Sequence, residues 1–206
     1  MSVILGIDPG LTRCGFGVVE SHPGRRVALV DVGVIRSDPA ADIAVRVHRI
    51  SHEVERLMRR HRPRAVSVER VFAQQNLPSV MGVAHIIGAV MHLAGEADIP
   101  LVLHTPSEVK AAVTGSGRAD KSQVQHMVAR LLGIDHVDGP PDAADALAVA
   151  ICESFKPTAS DTKAVAPAGE TAAQRQWRLG RERGQLNSKR TAGDAAKTGQ
   201  WKMRRG

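Results

Sequence analysis

Four carboxylates come from three separate segments of this chain, each at the end of a stretch that the sequence predicts to be rigid. Val- and Ile-rich runs are typical of buried strands in an α/β sheet, and two such runs close on Asp8 and on Glu69. Asp142 and Asp145 open an apolar helix. A strand that serves only packing has no reason to end in an acid, because an unpaired buried charge is costly.

Converging carboxylates are the ligands that hard cations prefer. Mg²⁺ is held by a few carboxylates together with waters and substrate phosphate. A pair of such ions, roughly 4 Å apart, is a common device for hydrolysing phosphodiesters. The pattern therefore predicts a metal-dependent nuclease whose metal ligands are Asp8, Glu69, Asp142 and Asp145.

Each of these acids also has a purely structural interpretation. Asp8 precedes a Pro-Gly pair and could be a turn residue. Glu69 could pair with Arg70 or face solvent at a strand end. Asp142 and Asp145 have the spacing of a capping box with Asp142 at the N-cap. That spacing also puts both carboxylates on one helix face, so capping and metal binding are compatible.

The net charge of +7 is concentrated in one part of the chain. Residues 1–156 contain 17 Lys/Arg and 17 Asp/Glu, whereas residues 157–206 contain 11 Lys/Arg and 4 Asp/Glu. The second range has almost no Val, Ile or Leu, too little apolar surface to offset the entropy of ordering. We expect 1–156 to be the folded domain and 157–206 to be a disordered basic tail. Such a tail adds electrostatic affinity for nucleic acid, or it only keeps the domain in solution.

Membrane and secreted classes do not fit this composition. The sequence has no uncharged apolar run long enough to cross a bilayer, and its first segment lacks the basic start and cleavage site of a signal peptide. Cys14 and Cys152 are far apart and outside any C-x-x-C motif, which is typical of reduced cysteines. We expect a cytoplasmic protein without a membrane segment.

Hydrophobic periodicity predicts an α/β fold in which three strands are followed by alternating helices and strands. Strands close in sequence and joined by Gly- or Pro-containing turns are expected to be antiparallel neighbours. The expected fold is a mixed sheet flanked by helices. The predicted strands are 3–8, 15–21, 27–36, 65–69 and 101–103, and the predicted helices are 42–60, 79–97, 106–113, one from the cap Asp120 to Gly133, and 142–155.

The predicted helix 79–97 is apolar nearly all round. A helix on the outside of one sheet needs only one apolar face. The excess suggests burial on both sides, by its own sheet and by a partner subunit, with Ile86 and Ile87 in the interface. The alternative is a central helix covered by other helices of the same chain.

Four motifs, in their order and spacing, resemble the RuvC family of bacterial Holliday-junction resolvases. They are Ile4–Gly10, Val68–Phe72, Ala119–Val128 and Asp142–Ala148. The resemblance covers residues 1 to about 155. It implies an RNase H-like fold, a homodimer that works with the RuvA–RuvB branch-migration complex, and Mg²⁺-dependent endonuclease action on four-way DNA junctions. Paired symmetric nicks with 5′-phosphate and 3′-hydroxyl ends would then resolve junctions in recombination and repair.

The resemblance also assigns roles to individual residues. It implies that the four acids bind two Mg²⁺ ions, for which Mn²⁺ could substitute. Lys121 matches a catalytic lysine that contacts DNA, and Lys110 matches a second lysine near the scissile phosphate. Phe72 matches an aromatic residue that stacks on a base of the opened junction. Residues 84–88 match the family only loosely, and 157–206 has no counterpart in its short members, so nothing transfers to those ranges.

Two other functional classes share parts of the pattern. Residues 6–15 also resemble a phosphate loop of actin-like ATPases and sugar kinases, but those enzymes need two such domains and 156 residues are too few. Residues 115–122 approach a P-loop, yet Asp120 stands where the second Gly is required and would repel phosphate. The alternative to a nuclease is a junction-binding protein without catalytic activity, in which the acids are structural. Metal-dependent cleavage of a synthetic junction would distinguish the two.

Overall fold

The computed structural model describes residues 1–70 and 77–156, and in the second range side chains from Val80 onward. Phe72 and the predicted tail at 157–206 lie outside the described residues, so both assignments stay predictions. None of the helices in the described ranges combines the length and apolar character that a membrane span requires.

Five strands form one mixed sheet, as the sequence predicts. Their order across the sheet is β3-β2-β1-β4-β5. The pairs β1–β2 and β2–β3 are antiparallel, whereas β4 lies parallel to both β1 and β5. The strands are β1 (Ser2–Asp8), β2 (Arg13–His22), β3 (Arg26–Arg36), β4 (Ala65–Glu69) and β5 (Leu101–His104).

In the described part of the chain, five helices cover the two faces of this sheet. They are α1 (Ile43–His61), α2 (Leu77–Glu96), α3 (Pro106–Thr114), α4 (Lys121–Leu132) and α5 (Pro141–Ser154). The start of α4 is capped by the Asp120 side chain, which accepts from the Gln123 amide, and its end by Gly133 in the left-handed conformation. The predicted cap and stop of this helix are confirmed.

Successive side chains of β1 point into two separate hydrophobic cores. Leu5 and Ile7 point to one face, where they pack with buried residues of α1 and α2. Ile4 points to the other face and packs with α3, α4 and α5. Because successive side chains of a strand point to opposite faces, a strand buried on both sides is apolar throughout, which is the pattern of β1.

The orientation of α2 corrects the predicted interface. Ile86 is fully buried in the core of its own chain, so it is not available to a partner. Ile87 is partly buried against the same core. The exposed apolar side chains of α2 are Met81 and Met91, at 51% and 41% exposure. The helix is covered on one side only within the described chain.

Candidate active site

The sheet contributes two neighbouring carboxylates. Asp8 is the last residue of β1 and Glu69 the last residue of β4. These strands are parallel, and the pairing of Ile7 with Val68 places the two acids side by side at the same edge. The two side chains are close enough for the charge of Glu69 to raise the pKa of Asp8.

Helix α5 brings the other two carboxylates to this edge because glycines let it approach the sheet closely. A Cβ atom built on Gly17 would lie 2.7 Å from the Leu147 nitrogen, and one on Gly6 would lie 2.6 Å from the Ala150 nitrogen. At Gly15 the added atom would meet the carbonyl group of Asp142. Since Gly15 is paired with Asp8 in the sheet, the first turn of α5 lies over the end of β1.

The capping alternative for the α5 acids is wrong. The N-cap of α5 is Pro140, which provides no side-chain hydrogen bond. Asp142 is the second residue of the helix, inside its first turn. Both carboxylates are therefore free of the capping role and are available for ligands or cations.

Each α5 carboxylate faces a basic side chain. Lys121 Nζ donates to Asp145 Oδ2 at 2.7 Å. Arg13 Nε lies 3.2 Å from Asp142 Oδ2. The Arg13 N–H does not have hydrogen-bond geometry, so this buried Oδ2 atom accepts no hydrogen bond from any residue that the structure describes. The helix acids are thus partly neutralised by basic partners, whereas the sheet acids repel each other.

Burial and crowding make the negative charge of this site unfavourable. Burial, followed by repulsion from Glu69, Asp145 and Asp142, raises the pKa of Asp8 to about 7. Burial and the charge of Asp145 also raise the pKa of Glu69, although Lys110 and Lys121 oppose that rise. The hydrogen bond to Asp145 raises the pKa of Lys121, which stays protonated. Such a set of acids would be stabilised by added positive charge.

The donor set fits a divalent metal ion. Carboxylate oxygens are the ligands of Mg²⁺ and Mn²⁺, and Asp142 offers a buried oxygen that accepts no hydrogen bond. In the described part of the chain, no three His, Cys, Asp or Glu side chains are placed together so as to hold a metal ion. Arg13 and Lys121 lie against the α5 carboxylates instead.

The remaining predicted residues divide into two groups. Lys110, in α3, is close enough to Glu69 to lower that carboxyl's pKa. Lys121 is the first residue of α4 and contacts Asp145 directly. The structure therefore places both lysines beside the acids, and Phe72 lies outside the described residues.

Arg13 is the residue of this site that the sequence analysis missed. It lies 129 positions from Asp142, and nothing in the local segment Thr12–Cys14 distinguishes it from a surface arginine. Only its position indicates that it is close to the acids, because Arg13 begins the strand that pairs with the strand of Asp8. Its side chain is 53% exposed.

Comparison with known proteins decides the family. The family model of "Crossover junction endodeoxyribonuclease RuvC" matches residues 4–153. The chain belongs to the RuvC family. Relatives with the same description include those of Clavibacter michiganensis subsp. michiganensis, 51% identical over 88% of this chain and 97% of the relative, and Frankia alni, 51% identical over 80% and 84%.

Solved structures agree with this assignment. The structure described as T. thermophilus RuvC in complex with Holliday junction substrate is 34% identical and matches with a TM-score of 0.73 over 79% of this chain and 97% of that one. The yeast mitochondrial Holliday junction resolvase Ydc2, 15% identical with a TM-score of 0.54, shows a shared fold only. The predictions of the RuvC family, an RNase H-like α/β fold and a nuclease of the hydrolase class are confirmed. Membership of this nuclease family implies dependence on a divalent metal.

Proposed function

We propose that this RuvC-family domain resolves four-way DNA junctions by metal-dependent hydrolysis of phosphodiester bonds. The observation that carries the proposal is the meeting of Asp8, Glu69, Asp142 and Asp145 at one edge of the sheet, with an Asp142 oxygen that accepts no hydrogen bond. The T. thermophilus relative whose structure contains a Holliday junction supports the same substrate.

The four acids would hold two Mg²⁺ ions, or Mn²⁺ in their place. When bound, such ions polarise the scissile phosphate and lower the pKa of an attacking water. The chain's own contribution is geometric. The β1 and β4 ends and the first turn of α5 hold the carboxylates on rigid elements, so that the ligands need little reorganisation.

The two lysines would act on the DNA phosphate. Lys121 is more than half exposed, and its Nζ can move from Asp145 to a phosphate oxygen. Lys110 lies on the Glu69 side of the site and adds a second positive charge. Positive groups held close to the phosphate stabilise the extra negative charge of the transition state. In-line attack of water would leave 5′-phosphate and 3′-hydroxyl ends.

Cleavage of a labelled mobile four-way junction tests this proposal. With Mg²⁺ we expect paired nicks at symmetric positions that DNA ligase can seal, because the ends are 5′-phosphate and 3′-hydroxyl. Linear duplex of the same sequence and reactions with EDTA are the controls and should remain intact. Binding of the junction without cleavage in Mg²⁺ or Mn²⁺ would contradict the proposal and support the non-catalytic alternative.

We propose in addition that two copies associate through α2. Its exposed side combines Met81 and Met91 with Ala84, Gly88 and Gly95, and a Cβ atom added to either glycine would meet nothing within 4 Å. Small residues at this spacing allow two helices to approach closely. A two-fold dimer would present two identical sites to a four-way junction, whose own symmetry is close to two-fold. Junctions would reach it in the cytoplasm from the RuvA–RuvB complex.

Sedimentation of Met91→Glu tests the α2 interface. Met91 is exposed in the single chain, so the variant should fold and sediment as a monomer. Val30→Glu, at a 45% exposed position of β3, is the matched control and should leave the dimer intact. An unchanged dimer of Met91→Glu would remove this face of α2 from the interface.

A further inference from the structure

The contact between Arg13 and Asp142 has three features that separate it from an ordinary surface ion pair. Its acid is a proposed metal ligand in the first turn of α5. The Asp142 side chain is only 20% exposed, whereas that of Arg13 is 53% exposed. The distance of 3.2 Å lacks hydrogen-bond geometry. The guanidinium therefore neutralises the carboxylate without donating a hydrogen bond to its buried Oδ2 atom.

The backbone that carries Arg13 is held firmly. Arg46 of α1 donates to Thr12 Oγ1 at 2.7 Å and to Ser37 Oγ at 3.1 Å. The Ser37 amide donates to the Thr12 carbonyl at 3.1 Å. Arg13 thus extends a half-exposed side chain from a strand end that hydrogen bonds hold, so a change in the position of its guanidinium would not require the strand to move.

Lys121 and Asp145 form a parallel arrangement one helical turn away. The two α5 acids therefore each have one basic partner, whereas Asp8 and Glu69 lie side by side at the strand ends and repel each other. A divalent cation that binds Asp142 would repel the guanidinium. The nearest new anion would then be the phosphate of bound DNA, which arginine recognises with two parallel hydrogen bonds.

We propose that Arg13 is a displaceable counter-ion of Asp142, which holds this carboxylate in the metal-free site and moves to the DNA phosphate when the metal binds. The inference rests on the proposed function, because it takes Asp142 as a metal ligand. Arg13 would thereby be a substrate-binding residue in the loaded site and a competitor of the metal in the empty one.

The two roles predict opposite effects of Arg13→Gln. Calorimetric titration of the DNA-free protein with Mn²⁺ should show affinity about two- to fivefold tighter than wild type, the range expected when one partly exposed ion pair is lost. Junction binding should weaken several-fold, and its log–log salt slope should flatten by about 0.9, the value for one phosphate contact. Damage to the fold would weaken both, so the opposite signs identify the mechanism.

Arg36→Gln is the matched control. Arg36 pairs with Arg13 across β2 and β3, is exposed, and forms no ion pair among the described residues. Arg36→Gln removes the same charge from a neighbouring position and should leave Mn²⁺ affinity unchanged. Equal losses of junction affinity in the two variants would overturn the phosphate role of Arg13, and an Arg13→Gln protein that binds Mn²⁺ no tighter than wild type would overturn the competition.

Asp142→Asn separates this inference from the function on which it rests. If Asp142→Asn binds Mn²⁺ as tightly as wild type, Asp142 is not a ligand and the proposed metal site fails. If Asp142→Asn binds weakly while Arg13→Gln equals wild type, the metal site stands and the role of Arg13 is wrong.

Discussion

The two ends of α5 carry acidic residues in opposite environments. At the C-terminal end, Glu153 is buried and its Oε2 lies 3.0 Å from Nε2 of the fully buried His104. The other nitrogen of that ring lies 3.5 Å from the Cys152 thiol. At the N-terminal end, Asp142 and Asp145 are partly exposed, face basic side chains that are more than half exposed, and leave one oxygen without a hydrogen bond.

This difference shows how environment decides what an acid does. A buried acid with a complete set of partners fixes a helix to a sheet, because breaking the pair leaves an uncompensated polar group. An acid that lacks partners and lies close to other acids destabilises the fold. Such a residue is tolerated at sites where a bound ligand offsets the destabilisation. The C-terminal end of α5 therefore anchors the helix, and the N-terminal end carries the two acids that we propose as metal ligands.

The largest effect is expected at the active-site end, for Asp8→Asn. The change keeps side-chain volume and removes one metal-binding charge, so junction cleavage in Mg²⁺ should fall by on the order of 10³-fold or more, since metal activation is worth several kcal/mol. The melting temperature of the metal-free variant should rise, because the buried and repelled charge is gone. Single-turnover cleavage and thermal unfolding in EDTA measure the two effects.

If Asp8→Asn loses cleavage activity and gains thermal stability, the Asp8 charge serves function and destabilises the metal-free fold. A variant that cuts at the wild-type rate would remove Asp8 from the site. A variant that melts below wild type in EDTA would mean that Asp8 stabilises the metal-free fold, which is the behaviour expected of Glu153 and not of Asp8.

The next effect is expected at the anchoring end, for Glu153→Ala. His104 would be left buried without its partner, and the free energy of unfolding should fall by about 2–4 kcal/mol. Urea unfolding measures the loss. In the double variant with His104→Phe and Glu153→Leu, apolar side chains replace both partners, and part of the stability should return. Lys156→Ala, 3.8 Å from Glu153 and half exposed, is the control with little effect.

A smaller effect on stability, coupled to activity, is expected for Gly6→Ala. The added methyl group would meet the backbone of α5 at Ala146 and Ala150. The helix must then shift, at a cost of about 1–3 kcal/mol typical of overpacking. The shift moves Asp142 relative to Asp8, so cleavage should fall even at temperatures where the variant is folded.

Urea unfolding and single-turnover cleavage of Gly6→Ala measure the two effects. Full cleavage activity in a stable Gly6→Ala protein would show that close approach of α5 is unnecessary for the site.

The last effect is a pH dependence of the metal-free fold, which is tested without a change of sequence. The pKa of Asp8 is raised from its ordinary 3.8 to about 7, so between these values the folded protein holds a proton that the unfolded chain has lost. Stability contributed by this group is present below pH 3.8 and is lost as the pH rises through about 7. Melting temperatures in EDTA should fall by several degrees over this window relative to Asp8→Asn. A wild-type curve parallel to that of Asp8→Asn would contradict the raised pKa.

Local sequence patterns were sufficient to predict the fold. The strand Ala65–Glu69 has the predicted bounds, because its apolar run ends sharply at an acid. The cap Asp120 and the stop Gly133 define α4 through bonds within a few residues. The predictions fail where tertiary packing, and not the local sequence, determines the orientation of an element. The orientation of α2 depends on which side meets the sheet, and a helix apolar all round gives no local indication that Ile86 faces inward.

The placement of the acids in the proposed site was predictable, because an acid at the end of a buried strand is unusual for a purely structural residue. Acids at strand ends stand out, and the four carboxylates meet at one edge. Arg13 and the His104–Glu153 pair could not be found, because their partners lie far along the chain and depend on the diagonal path of α5. The alternation of Gly15 and Gly17 in β2, with Gly6 opposite, is the one sequence signal that predicts this close helix.

Single-turnover cleavage of a four-way junction by Asp142→Asn and Glu153→Gln tests the central contrast most directly. Both variants neutralise one acid of α5 and keep its size, and both are assayed in Mg²⁺ at a temperature where they are folded. We predict that Asp142→Asn binds the junction without cutting it and that Glu153→Gln cuts at close to the wild-type rate. Cleavage by Asp142→Asn at the wild-type rate, or loss of cleavage in a folded Glu153→Gln, would contradict the division of α5 into a catalytic and an anchoring end.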